Sequence, residues 1–262
     1  ANPLSAEMGV MRTSIWPGLV KSLIYNVNRQ QSRVRLFESG LCFSQAPNQA
    51  DLSFDNISQV KKLAGVVCGP RQDENWSNDA EPVDFFDIKS DVEALLALSK
   101  KDYSFEAAEH PALQMGQSAK IMNGKKQIGW VGALSPKLEK KLSMPTAFLF
   151  ELIQSEIEQG ENPSYASFSS FQASQRDVAI VVSKELSADE LIGSIKSLKQ
   201  ADLVDVNLFD VYEGEHIEQG SKSVALNLTY QSTEVTLTDE QLAEKVSKIV
   251  AHLETNFSAK LR

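Results

Sequence analysis

Alternation of apolar and polar residues is sharpest between Leu203 and Gln231, where LVDVNLFDVYEGEHIEQGSKSVALNLTYQ reads as two strands joined by a loop. In the second strand Val224, Leu226, Leu228 and Tyr230 alternate with Ser223, Ala225, Asn227, Thr229 and Gln231, the period of two that marks a half-buried strand. The first strand changes phase. Val204, Val206 and Leu208 share one parity, whereas Phe209 and Val211 take the other, which predicts a β-bulge. With that bulge, Asp210 and Tyr212 join Asp205 and Asn207 on the polar side, and Ser223 lies on the same side of the hairpin. A carboxylate, an aromatic ring and a hydroxyl on one open face can hold a flat, hydrogen-bonding ligand. The same pattern also describes a plain solvated sheet face, and periodicity alone does not separate the two.

The surroundings of the hairpin parse cleanly. A strand is predicted over Asp177–Val182. A helix follows, opened by the capping box Ser187-Ala188-Asp189-Glu190 and striped by Leu191, Ile195 and Leu198. After the hairpin, Thr238-Asp239-Glu240-Gln241 opens a second helix that stacks Leu242, Val246, Ile249, Val250 and Leu253, and Ser258–Arg262 forms a closing strand. The order βαββαβ is the ferredoxin-like split βαβ, with both helices on one sheet face and the other face free.

Upstream the pattern is mixed. Residues 2–31 read as a strand or loop entering a helix, with Pro17 in its first turn and Leu19, Leu23 and Val27 at helical spacing. A strand over 33–44 breaks at Gly40, a polar loop covers 45–61, and 62–69 is a short buried strand. Val83 to Leu98 reads as a helix with Val92, Leu95 and Leu96 on one face. Ser118–Met122 and Lys126–Leu134 flank Asn123-Gly124, a strong hairpin signal. Ser135-Pro136 starts a short basic helix, and Ala147–Ile153 is a further apolar strand. Ser155–Ser170 has linker composition. The reading is α+β: a first domain over 1–155, an antiparallel sheet with flanking helices; a linker over 156–167; and the ferredoxin-like domain over 168–262.

At 262 residues, 42% hydrophobic and 23% charged, the chain is of ordinary globular composition and long enough for two domains. No apolar run approaches the ~20 residues needed to span a bilayer, and no signal pattern opens the chain. The chain begins ANPLSAE without an initiator Met, so a fragment of a longer polypeptide is expected. Cys42 and Cys68 are far apart and lack partner histidines, which points to buried thiols of a cytoplasmic protein and to no metal site. The net charge is −9; residues 1–167 carry 17 basic and 20 acidic side chains, and residues 168–262 carry 9 and 15. That balance argues against a general phosphate-coating protein, so a nucleic acid on the second domain would be read through bases and shape.

Catalytic signatures are missing. There is no phosphate-binding glycine loop with its Lys, no dinucleotide fingerprint and no G-x-S-x-G elbow. His110, His216 and His252 have no partners at metal-ligand spacing, and Ser118 at a strand start reads as structural. No nucleophile, base and oxyanion site assemble.

Both halves nevertheless resemble one family. MRTSIWPGL (11–19), RQQSRVRLFESGLCF (29–43), VDFFDIKSDVE (83–93) and HPALQMGQSAKI with IGWVGALSP (110–136) are similar to the C-terminal part of the β subunits of bacterial phenylalanyl-tRNA synthetases. SQRDVAIVV (174–182), VNLFDVYEG (206–214) and GSKSVALNL (220–228) resemble the ferredoxin-fold anticodon-binding domain that ends those subunits. The resemblance covers essentially the whole chain, in order. It implies that the first domain is a class II synthetase-like core in a catalytically silent copy. Met11 to Ser14 and Pro17 resemble the first class II motif, used at subunit interfaces, and Arg33 to Phe43 the second. The third, a glycine-rich stretch with an ATP-binding Arg, has no counterpart: Gly129 and Gly132 are followed by Ser135-Pro136 and lysines.

By the same resemblance, the chain scaffolds a catalytic α subunit in an assembly with two copies of each subunit. It would bind tRNA-Phe, with no DNA or membrane partner. ATP and Mg2+ would serve the whole enzyme, with no cofactor in this fragment. The family's contacts to the first anticodon base map onto Asp210, Tyr212 and Ser223. Glu213 stands where a basic residue is frequent, which leaves Arg176, Lys222, Lys260 and Arg262 as phosphate candidates. A different function remains compatible with the pattern: a ferredoxin-like module that senses a small molecule, fused to an inactive enzyme core. Such a module usually pairs its sheet edge with a second copy.

Overall fold

A computed structural model of the chain describes residues 9–45, 57–99, 101–158, 160, 164–165, 167–215 and 217–262. The chain divides into two compact units, residues 1–163 and 164–262. His216 and most of the expected 45–61 loop lie outside the described residues.

In the first unit, helix α1 (Trp16–Val27) carries Pro17 in its first turn and buries Trp16, Leu19 and Leu23. Strands β1 (Val34–Gln45) and β2 (Ile57–Cys68) follow, then helix α2 (Phe85–Ala97), β3 (Ser104–Ala107), β4 (Leu113–Asn123) and β5 (Lys126–Leu134). Helix α3 (Pro136–Leu142), β6 (Ala147–Ile153) and helix α4 (Gln154–Glu158) complete it. The six strands form one antiparallel sheet in the order β1-β2-β6-β5-β4-β3. Neighbouring residues alternate between its faces. Val66 and Leu149 pack with α1, whereas Val67 and Phe148 pack with α2.

Several boundaries depart from the sequence reading. Residues 57–61, expected as loop, extend β2, and β1 continues to Gln45. Only Lys62–Cys68 of β2 is also paired to β6. The outer half is a two-stranded ribbon with little to bury, so it carries no apolar signal. Helix α2 begins two residues later than the apolar pattern implied, because Asp84 and Asp87 close a capping box there. Ser135 makes no side-chain cap to α3, although Pro136 does open that helix. Residues 156–158, read as the start of the linker, belong to α4. There Glu156 is buried and accepts from Lys126 and Asn123. Asn123 pairs with Lys126, so the turn is Gly124-Lys125, shifted by one residue from the Asn-Gly pair, and Gly124 adopts φ +58°, a left-handed conformation that glycine takes without strain.

The second unit has the expected βαββαβ order: β7 (Ser174–Ser183), α5 (Ala188–Ser197), β8 (Leu203–Tyr212), β9 (Ser221–Tyr230), α6 (Asp239–Phe257) and β10 (Lys260–Leu261). The sheet order is β10-β7-β9-β8. Both predicted capping boxes are formed, Ser187 with Glu190 and Thr238 with Gln241. The core joins Leu191, Ile195, Leu242, Ile249 and Leu253 of the helices to Val178, Ile180, Val224, Leu226 and Leu228 of the strands. All of those strand residues share one face, so both helices cover that face and the other is left open.

Candidate nucleic-acid interface

The open face is built by register. Residues directly opposite one another in neighbouring strands share a face. Ser223 lies opposite Val181 on one side and Tyr212 on the other, Ala225 opposite Ala179 and Asp210, and Asn227 opposite Asp177 and Asn207. The β8–β9 register shifts between Leu208 and Asp210, leaving Phe209 as the bulged residue. Without that extra residue Asp210 and Tyr212 would point into the helix face. The phase change in the sequence is therefore a real bulge, and it brings Asp210, Tyr212 and Ser223 together. A second shift, between Leu203 and Asp205, was not anticipated; it places Val204 in solvent, 57% exposed.

The three side chains differ in access. Asp210 is exposed and makes no hydrogen bond or ion pair among the described residues. Tyr212 is 38% exposed and Ser223 only 3%. The cover over Ser223 is Arg262. The Arg262 backbone N–H donates to the Ala179 carbonyl at 2.9 Å, continuing the edge pairing of β10 on β7. Its side chain crosses the face, donates to Ser223 Oγ at 3.3 Å and lies over the Tyr212 ring, 5.3 Å from the guanidinium carbon to the ring centroid. The ring also rests against Gly214, where a Cβ would overlap the tyrosine hydroxyl. The remaining face is a polar ladder in which Thr229 donates to Asn227 and Asn227 donates to Asp177.

Of the four phosphate candidates, only two belong to this face. Arg262 does, and Lys260, opposite Val181, shares it while lying 3.6 Å from Glu218. Arg176 lies opposite Leu228 on the helix-bearing face and pairs with Asp239. Lys222 lies opposite Val182 on that same face and donates to the Lys184 carbonyl at 3.0 Å. Glu213 is held by Lys184 at 2.6 Å. Sequence reasoning did not identify Gly214 as a support for the ring, nor Arg262 as its cover. Both depend on packing between residues that no periodicity connects.

His252 shares a hydrogen bond with Ser194 at 2.8 Å, tying α6 to α5. Ser118 donates to the Ala108 carbonyl, and burial pushes the thiols of Cys42 and Cys68 up. Among the described residues no three His, Cys, Asp or Glu side chains converge on a point that could hold a metal ion. In the stretch resembling the second class II motif, Arg35 pairs with Asp91, and Arg33 donates to the Arg71 carbonyl near Asp73.

Comparison with known families is decisive. Residues 1–153 match the family model "Phenylalanyl tRNA synthetase beta chain CLM domain", and residues 169–262 match "Ferredoxin-fold anticodon binding domain". The chain belongs to the phenylalanine–tRNA ligase β-subunit family. Among curated relatives, the phenylalanine–tRNA ligase β subunit of Sodalis glossinidius is 45% identical over 264 residues, covering 100% of this chain and 33% of the relative. The β subunits of Pseudomonas fluorescens and Colwellia psychrerythraea are 41% and 42% identical, with the whole chain covering 33% and 32% of them. The chain thus spans about one third of the length of the β subunits it matches. An edge-paired sensing module is not favoured. Besides the family match, β8 at the free edge is interrupted by two register shifts, which spoil it as a template for another strand.

Proposed function

We propose that this chain is the C-terminal part of a phenylalanine–tRNA ligase β subunit. Its first unit would scaffold a catalytic α subunit in an assembly with two copies of each, and its second would bind the anticodon region of tRNA-Phe during ATP-dependent phenylalanylation. The observation that carries the reading is the bulge at Phe209, which gathers Asp210, Tyr212 and Ser223 on the sheet face that no helix covers.

The chemistry suits a guanine at the first anticodon position. Tyr212 supplies a stacking platform, worth ~1–3 kcal/mol per base. Asp210, without a hydrogen bond or ion pair among the described residues, accepts from the N1 and N2 donors of the base. Ser223 completes the base edge once Arg262 swings off its hydroxyl, and the displaced guanidinium then meets the anticodon backbone phosphate. Lys260 is the second candidate phosphate contact. With a net −6 from its 9 basic and 15 acidic side chains, this unit gains little from bulk charge, so recognition rests on the base and on these few cations.

ATP, Mg2+ and the chemical step belong to the α subunit in this reading, and the first unit is a silent class II-like core. The test is aminoacylation by an αβ complex carrying Tyr212→Ala. Charging of tRNA-Phe should fall while phenylalanine-dependent pyrophosphate exchange stays at the wild-type rate. Unchanged charging would remove Tyr212 from the assignment. Pyrophosphate exchange by the 262-residue chain alone would overturn the division of labour.

A further inference from the structure

The first unit contains a cavity of about 800 Å3 between α1, α3 and the sheet. Its size falls within the range of small-molecule sites. Most of the wall is apolar, from Val20, Ile24, Leu134, Leu138 and Leu142. Three rings line it in sequence: His110 lies between Trp16, 5.2 Å away and edge-on, and Trp130, 4.9 Å away. Trp16 is fixed by its indole N–H, which donates to the Phe150 carbonyl at 2.9 Å. The Nδ1 atom of His110 accepts from the Ala112 N–H at 3.2 Å, so the neutral ring carries its hydrogen on Nε2. Burial pushes the His110 pKa down, which keeps that ring neutral at pH 7.

One end of the cavity is charged. Glu151 Oε1 accepts from Ser14 Oγ and from the Ile15 N–H, both at 2.8 Å. Among the described residues its Oε2 accepts only from Lys62 Nζ, at 2.6 Å, which leaves a lone pair of that oxygen unused by them. Lys62 donates to Oε2 and to the Thr13 carbonyl at 3.2 Å, so one of its three N–H groups has no partner among the described residues. Both side chains are partly open to solvent, 23% for Lys62 and 12% for Glu151. An unused cationic donor and an unused anionic acceptor thus stand side by side at the end of an aromatic, apolar chamber.

We infer that this cavity binds a large apolar α-amino acid as its zwitterion. The ligand carboxylate meets Lys62, its ammonium meets Glu151 Oε2, and its side chain lies among Trp16, His110 and Trp130. No covalent step is involved. The site is built from the first unit alone and is separate from base reading by Asp210, Tyr212 and Ser223.

The test uses the 262-residue chain with Trp76→Phe. Trp76 is fully exposed in the loop before α2, so this change leaves Trp16 and Trp130 as the only tryptophans. Their emission is followed during titration with L-phenylalanine, with L-leucine, with 3-phenylpropionate, which lacks the ammonium, and with phenethylamine, which lacks the carboxylate. Saturable changes are expected for the two amino acids, with at least tenfold weaker responses to both single-charge analogues. Val20→Phe, which fills the chamber, should abolish the response while the thermal midpoint is kept; Ile24→Phe serves the same purpose if Val20→Phe fails to fold. A non-saturable response to the amino acids, equal binding of either analogue, or an unchanged response in the folded filled variant would overturn the inference.

Discussion

Arg262 lies over Tyr212. The guanidinium carbon sits 5.3 Å from the ring centroid, and the same group donates to Ser223. A base stacking on this ring must displace the arginine or share the ring with it. Arg262→Ala should therefore expose Ser223 and leave the ring intact, yet weaken binding of an anticodon stem-loop by roughly tenfold through loss of one phosphate-seeking cation. Titrations at several salt concentrations should show the slope of log K against log salt reduced by about 1. Stronger binding by the variant would mean that the arginine only blocks the site.

Gly214 is the floor under the Tyr212 hydroxyl. Gly214→Val should push the ring out of its seat without touching the core, which is formed on the opposite face. Thermal stability should change by less than about 1 kcal/mol, as for surface substitutions, while stem-loop affinity falls in the same direction as for Tyr212→Ala. A melting curve and a titration on one preparation separate the two effects.

The second unit was legible because every local signal agreed. Two capping boxes, two amphipathic stripes and strict alternation in β9 pointed to one fold, and even the bulge appeared as a phase change between Leu208 and Phe209. Facing was less legible. Arg176 and Lys222 looked like equals of Lys260 and Arg262 in composition, and only the pairing register sends the first two to the helix-bearing face. In the first unit, the outer part of β2 escaped notice because a strand that buries little carries little apolar signal. Helix α4 was hidden in linker composition because its anchor is a charged residue, Glu156, satisfied by Lys126 across the sheet.

Tyr230 is fully buried, donates to Gln200 Oε1 at 3.0 Å, and burial pushes its pKa up to about 12 from 10.0. The unfolded chain loses this proton near pH 10 and the folded chain does not, so stability should fall as pH rises from 10 to 12. Tyr230→Phe should cost about 1 kcal/mol at neutral pH, for the lost hydrogen bond. It should also flatten the alkaline decline in a denaturant series between pH 9 and 12. An identical decline in the variant would assign it to other groups.

The hydrogen bond from Lys126 holds the Glu156 carboxyl below its ordinary 4.5, helped by Asn123 and opposed by burial. A carboxylate depressed in the fold stabilises above its unfolded pKa and loses that contribution as pH falls through its folded value. Lys126→Met should lower the thermal midpoint at pH 7, and the gap from wild type should close on acidification below pH 4.5. A gap independent of pH would show that Lys126 acts by packing alone.

Base reading by the open face is tested most directly by titrating the 262-residue chain with two tRNA-Phe anticodon stem-loops, one with guanine and one with adenine at the first anticodon position. Adenine offers no N1–H or N2 donor to Asp210, so the guanine form should bind at least tenfold more tightly, a difference of about 1.4 kcal/mol. That preference should vanish in Asp210→Ala, and both forms should weaken in Tyr212→Ala. Equal affinity of the wild-type chain for the two stem-loops would contradict base reading by Asp210, Tyr212 and Ser223.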